Sequence, residues 1–152
     1  MTFRLSIAAA LLVAASTPAA AQFSQFIGFG DSTVDSGWYR NATTGDADRD
    51  KRIAAAVAAG GHGTPVGVGL MSSELLAGYF GLTALPANQA GGTNFATGGA
   101  RDSQPVAGST AVPTVTQIAN YLAAAGGHAN SNVLYLIGSG GNDLSPISAL
   151  SL

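Results

Sequence analysis

Residues 133–143 have the sequence VLYLIGSGGND, and this stretch decides the class of fold. Its first five residues are apolar or aromatic without interruption, which is typical of a strand covered on both faces of a parallel sheet. Its last six residues are small, polar and rich in glycine, which is typical of a tight turn. The stretch therefore predicts a buried strand that runs directly into a loop, the place where sites form in open α/β sheets.

The segments upstream of this strand alternate between strand and helix patterns. Residues 23–29, FSQFIGF, predict a short buried strand that ends in a Gly-Asp-Ser turn. Residues 72–80 predict a helix, residues 93–96 a short strand, and the residues after Pro113 a second helix with Val115, Ile118 and Leu122 at helical spacing. The order strand, helix, short strand, helix, strand predicts an α/β domain with a parallel sheet.

The segment between the first strand and the first helix is the least regular part of the sequence. Residues 40–69 are polar and then rich in glycine, so we expect a long irregular loop. Within them, the charged residues 46–52 alternate acids with bases, and we expect a solvated loop there, not a phosphate-binding patch.

Composition limits the classes of function. The 152 residues suffice for one domain, and 47% hydrophobic with only 9% charged residues argues against disorder. A net charge of -2 offers no basic field for nucleic acid, and the absence of cysteine excludes disulfides, thiolate metal sites and cysteine nucleophiles. No pair of histidines has metal-ligand spacing, and Thr33 replaces the third glycine of a dinucleotide fingerprint. We therefore expect no metal and no cofactor.

The first residues have the pattern of an export signal. Arg4 is followed by an apolar run at residues 5–15, then by Pro18 and three alanines that end at Ala21. The apolar run is too short for a membrane anchor, which needs about 20 residues. We expect residues 1–21 to be a signal peptide cut after Ala21, and residues 22–152 to form an exported domain that is secreted, periplasmic or at the cell surface.

Three polar motifs each follow a predicted strand. They are Gly30-Asp31-Ser32, residues 94–99 with the sequence NFATGG, and residues 140–143 with the sequence GGND. Each motif alone is typical of a turn. Together they suit acyl transfer, because a serine hydroxyl on a turn can act as a nucleophile. Glycine N–H groups and an asparagine amide can then stabilise the oxyanion that forms.

The three motifs resemble the conserved blocks of the GDSL, or SGNH, hydrolases. Residues 29–37, FGDSTVDSG, are similar to the first block with Thr33 in place of its usual leucine. Residues 92–100, GTNFATGGA, are similar to the second block, and residues 140–143 to the third. The spacing looks most like the branch that includes bacterial autotransporter esterases and lipases. The resemblance implies a flavodoxin-like three-layer α/β/α fold, incomplete at its C-terminal end, and hydrolysis of small-molecule or lipid esters without a metal.

The resemblance also implies roles for individual residues. The family's nucleophile falls on Ser32. Its oxyanion donors fall on the Ser32 backbone N–H, Gly99 and Asn142, with Gly98 as a close alternative to Gly99. We expect Asp31 to stabilise its turn and not to carry a proton.

The family's Asp-x-x-His block is absent from the sequence. Neither His62 nor His128 has an aspartate three residues before it, and both precede the third motif, so we expect both to be loop residues. The simplest expectation is that residues 22–152 are the N-terminal part of a longer hydrolase domain, with little activity alone and with a possible outer-membrane translocator in the full-length protein. The alternative is a non-catalytic exported fragment that binds a ligand.

The predicted signal peptide has a direct test. We expect intact-mass analysis of the exported protein to show a chain that begins at Gln22. A membrane-bound product that retains residues 1–21 would contradict the prediction and indicate an anchor.

Overall fold

A computed structural model describes residues 23–62 and 69–144 of the chain, so the predicted signal peptide lies outside the described residues. Two strands, three α-helices and one 3₁₀ helix make up the described fold. In chain order they are β1 (Gln25–Gly30), the 3₁₀ helix (Trp38–Arg40), α1 (Ala47–Ala58), α2 (Ser72–Tyr79), α3 (Thr114–Ala124) and β2 (Val133–Gly138). None of the helices in these two ranges is long and apolar enough to cross a bilayer.

β1 and β2 form a parallel pair in which Gln25 lies opposite Val133 and Gly30 lies opposite Gly138. Both strands were predicted, and the mixed α/β class is confirmed. The predicted short strand at residues 93–96 is wrong, because only Asn94 bridges β1, at Gly28. Backbone hydrogen bonds do join Thr93, Phe95 and Thr97 to β1, but the ladder is interrupted at Gly30, whose N–H donates to the Gln117 side chain at 2.7 Å instead.

Helices cover both faces of the strand pair. On one face, Phe26 packs with Ala77 of α2, and both side chains are almost fully buried. On the other face, Ile27 and Phe29 pack with Ile118 and Tyr121 of α3. The alternation of side chains along β1 therefore gives each helix its own part of the core.

The predicted loop at residues 40–69 is wrong over much of its length, because α1 occupies Ala47–Ala58. Asp46 caps the start of the helix, and its carboxylate accepts the N–H groups of Asp48 and Arg49 at 2.9 and 3.0 Å. These bonds lower the pKa of Asp46, with Arg49 contributing most. The cap and the following alanines, which are the best helix formers, outweigh the polar composition that suggested a loop.

β2 is less covered than its apolar sequence predicted. Ile137 is 61% exposed, and β1 is the only strand that pairs with β2 in the described ranges. The expectation of a strand covered on both faces is therefore confirmed only in part, because both faces pack against the core along most of β2 but Ile137 near its end is exposed. The edge of β2 that faces away from β1 carries backbone groups that could pair with a further strand.

We expect the Asp46 cap to make stability depend on pH. The pKa of Asp46 is lowered in the folded chain from its ordinary 3.8, so its contribution is full above that pH and is lost as the pH falls through the lowered value. Asp46→Ala should lower the Tm at pH 7 more than Asp48→Ala, which removes the same charge but no cap. The difference in Tm between the two variants should disappear in acid, at a pH below the pKa of Asp46 in both the folded and the unfolded chain. A difference that persists there would contradict the role of the cap.

Candidate active site

The loop after β1 is held by Asp31. Its N–H donates to the Gly138 carbonyl at 3.0 Å, and its buried carboxylate accepts the N–H and the hydroxyl of Thr33 at 2.9 and 2.8 Å. The Asp35 N–H donates to the Asp31 carbonyl at 3.0 Å, which closes one helical turn. Asp31 therefore stabilises the turn, as predicted, and ties it to the end of β2.

Ser32 lies half-buried within this turn. Over residues 23–62 and 69–144, neither its hydroxyl nor its backbone N–H has a hydrogen-bond partner. Hydrogen bonds of the neighbouring residues thus fix the position of Ser32. Its hydroxyl and its backbone N–H are not used in this turn.

Asp35 organises the second motif. One oxygen of its buried carboxylate accepts the N–H groups of Gly37 and Trp38 at 2.8 Å, and the other accepts the N–H of Gly98 at 2.9 Å. The Gly98 N–H is therefore occupied. Gly99, at a φ of 88° that favours glycine, has no partner for its N–H among the described residues. Of the two glycines, Gly99 is therefore the one whose N–H is without a partner in the described part of the chain.

Asn142 lies in a helical turn at residues 141–144, shortly after the end of β2. Its side-chain amide donates to the Ala100 carbonyl at 2.8 Å, which uses one of its two N–H groups. The neighbouring Asp143 carboxylate accepts the N–H of Asp102 at 2.9 Å. The third motif is thereby joined to the second, and through Asp31 and Gly138 to the first.

Asn94, in the second motif, is hydrogen-bonded to the segment that follows the first motif. Its buried amide donates to the Val34 carbonyl at 2.7 Å and to the Ser36 hydroxyl at 2.9 Å. A Cβ atom on Gly28 would lie 2.3 Å from the Asn94 side-chain oxygen, so a glycine is required there. Asn94 belongs to the second motif, but the motif alone does not indicate this role for its side chain.

Gln117 of α3 is the residue that sequence reasoning missed most completely. Its side-chain oxygen accepts the Gly30 N–H at 2.7 Å, and its amide nitrogen donates to the carbonyls of Gly30 and Val112, each at 2.8 Å. It is 1% exposed, whereas Val115, which the helical spacing placed inward, is 52% exposed. Thr114 and Gln117 are three positions apart and lie on the buried face of α3. This helical spacing of two polar residues was the signal in the sequence for a buried polar contact.

The two histidines lie in different surroundings. His62 follows α1, and its Nδ1 lies 2.8 Å from the Glu74 carboxylate, which also accepts the N–H of Met71 at the start of α2. His128 lines a separate cavity beside Tyr121 and the start of β1. Neither histidine hydrogen-bonds to Ser32 in the described ranges. Both are loop residues, as predicted.

Comparisons of this chain with protein-family models, with curated proteins and with solved structures found no match. Over the described residues, no group of three or more His, Asp or Glu side chains could hold a metal ion. The functional interpretation therefore depends on the residues of the three motifs and on their geometry.

We expect Gln117→Met to destabilise the protein by at least about 1–3 kcal/mol, the cost of a single buried polar group that loses its partner. The substitution keeps the volume similar but leaves the Gly30 N–H without its partner, whereas the Gly30 carbonyl keeps the N–H of Thr97 at 3.0 Å. Asn120→Met, at an exposed position of the same helix, is the matched control. Equal urea midpoints for the two variants would contradict a structural role for Gln117.

Proposed function

We propose that this chain is a serine-dependent hydrolase of carboxylic esters, similar to the GDSL or SGNH enzymes. The observation that carries the proposal is the meeting of three turns at the carboxyl ends of β1 and β2. They bring Ser32, with an uncommitted hydroxyl, to the same end of the sheet as the Gly99 N–H and the Asn142 amide. A nucleophile with oxyanion donors is the arrangement that acyl transfer requires.

The reaction would proceed in two steps. The Ser32 oxygen attacks the ester carbonyl, the acyl–oxygen bond to Ser32 forms, and the alcohol leaves with the proton of the hydroxyl. Water then attacks the acyl group, and the acid leaves as Ser32 regains its proton. In both steps the N–H groups of Ser32 and Gly99, with the second N–H of Asn142, stabilise the oxyanion, which is where such donors act most strongly.

The finer fold belongs to the same proposal. A flavodoxin-like α/β/α arrangement is supported by the parallel register of β1 and β2 and by the packing of α2 and α3 on opposite faces. Export through residues 1–21 would place the site outside the cytoplasm, where small-molecule or lipid esters would be its substrates.

A second candidate function is ligand binding without turnover. It is favoured by one observation, namely that neither His62 nor His128 hydrogen-bonds to Ser32 in the described ranges. A serine hydroxyl without a base is a weak nucleophile near neutral pH. The two functions differ in whether Ser32 becomes covalently modified.

Because residues 22–152 alone are expected to have little activity, the test is covalent labelling with a fluorophosphonate probe of a chain in which they are followed by a segment with the Asp-x-x-His block. We expect one label per chain, mapped to Ser32 by peptide mass, and none on Ser32→Ala. Ser103→Ala, at an exposed loop serine, should label like the parent protein. In addition, Asn142→Ala should lower kcat for a p-nitrophenyl ester by roughly 10²–10³ with little change in KM, because the oxyanion exists only during turnover.

Two results would contradict the hydrolase proposal. Labelling that persists in Ser32→Ala would place the nucleophile elsewhere. A protein that binds esters but is neither labelled nor active would support the ligand-binding function instead.

A further inference from the structure

A small cavity lies directly beside the proposed oxyanion donors. Its volume is about 220 Å³. Two arginines, Arg49 and Arg101, line it together with residues of the second and third motifs. Its lining residues are Arg49, Gly99, Arg101, Val106, Ser109 and Asn142. Two of these six residues are the proposed oxyanion donors, so a ligand in the cavity would lie next to the scissile ester.

Arg49 reaches the cavity from the first turn of α1. The Asp46 cap fixes where that helix begins, and the Arg49 Nη1 atom lies 3.8 Å from the position that a Cβ on Gly99 would occupy. The residue is half-buried, and no carboxylate of residues 23–62 and 69–144 forms an ion pair with it. Its guanidinium thus lies over Gly99 with no carboxylate within 4.0 Å among the described residues, and the Asp46 carboxylate interacts with it only at longer range.

Arg101 reaches the cavity from the segment that follows Gly99. Its backbone carbonyl accepts the N–H of Thr114, the first residue of α3, which anchors the segment. Its Nε atom is buried and has no hydrogen-bond partner among the described residues. A buried donor without an acceptor is destabilising, and a ligand that supplies an acceptor removes that cost.

The acidic residues near the cavity are engaged elsewhere. The Asp50 carboxylate accepts the N–H and the hydroxyl of Thr44 at 2.8 Å. Asp102 accepts the hydroxyl of Ser139, and Asp143 accepts the N–H of Asp102. Lys51–Asp48 is an ion pair on the surface, and the Glu74 carboxylate lies 2.8 Å from the Nδ1 atom of His62. The cavity is therefore lined by the guanidinium groups of Arg49 and Arg101, and neither forms an ion pair with a carboxylate of the described residues.

We propose that Arg49 and Arg101 bind a carboxylate on the acyl part of the substrate, so that the preferred ester is a half-ester of a short dicarboxylic acid. Guanidinium groups bind carboxylates through paired, charge-assisted hydrogen bonds, which are stronger than neutral ones. The cavity is small and adjoins Gly99 and Asn142, which suits a short acyl chain with its charged end between the arginines. This inference rests on the proposed hydrolase function for its substrate class, but its binding test does not require turnover.

The test compares monomethyl glutarate, which carries one carboxylate, with dimethyl glutarate, which carries none. Binding is measured by calorimetry on the Ser32→Ala protein, in which turnover cannot consume the ligand. We expect the monoester to bind more tightly, and Arg49→Gln or Arg101→Gln to weaken it about 10-fold or more, as for the loss of one hydrogen bond to a charged group. Arg52→Gln, at an exposed position of α1, is the matched control and should bind like the parent.

Arg101→Lys keeps the charge in a compact form, so it should recover part of the affinity and guards against a variant that fails to fold. Equal affinity for the two esters, or equal loss in Arg52→Gln, would overturn the carboxylate site even if Ser32 hydrolyses dimethyl glutarate. Arginine-dependent binding of the monoester without Ser32-dependent release of methanol from either ester would support the site and contradict the hydrolase function.

Discussion

The hydrogen bonds between Gln117 and the backbone of Gly30 are the constraint on which the site depends. Gly30 is the last residue of β1, and the loop with Ser32 begins one residue later. Because Gln117 binds both the N–H and the carbonyl side of Gly30, and also the Val112 carbonyl, one side chain couples α3 to β1. In a buried environment these bonds are strong and directional, so they set where the strand stops and the turn begins.

The carboxylates of this site organise backbone and leave the chemistry to other groups. Asp31, Asp35 and Asp143 each accept backbone N–H groups, and together they touch all three motifs. A carboxylate can accept several N–H bonds at once, which makes it an efficient centre for a tight loop. The conformation of the site thus comes from polar contacts between loops more than from the apolar core beneath them.

The elements that the sequence predicted well are those specified by local signals. The apolar run of β2 and the glycine turn after it identify a strand and its end from adjacent residues alone. The helix α1 was missed although its signal was local, because the Asp46 cap was outweighed by the charges and glycines around it. The roles of Asn94 and Gln117 could not be predicted, because their hydrogen bonds join residues 60 and 87 positions apart in the sequence.

The pairing of β1 with β2 has a consequence for how the chain reaches its native state. Ser24 and Asn132, which flank the two strands and are hydrogen-bonded, lie 108 positions apart in the sequence. Contacts at such separations slow folding, because a long segment must be ordered before they form. During synthesis the β2 partner of β1 is complete only once residue 138 has been made. Over that interval its apolar residues depend on helices or chaperones for cover, and they are exposed to aggregation until β2 pairs with them.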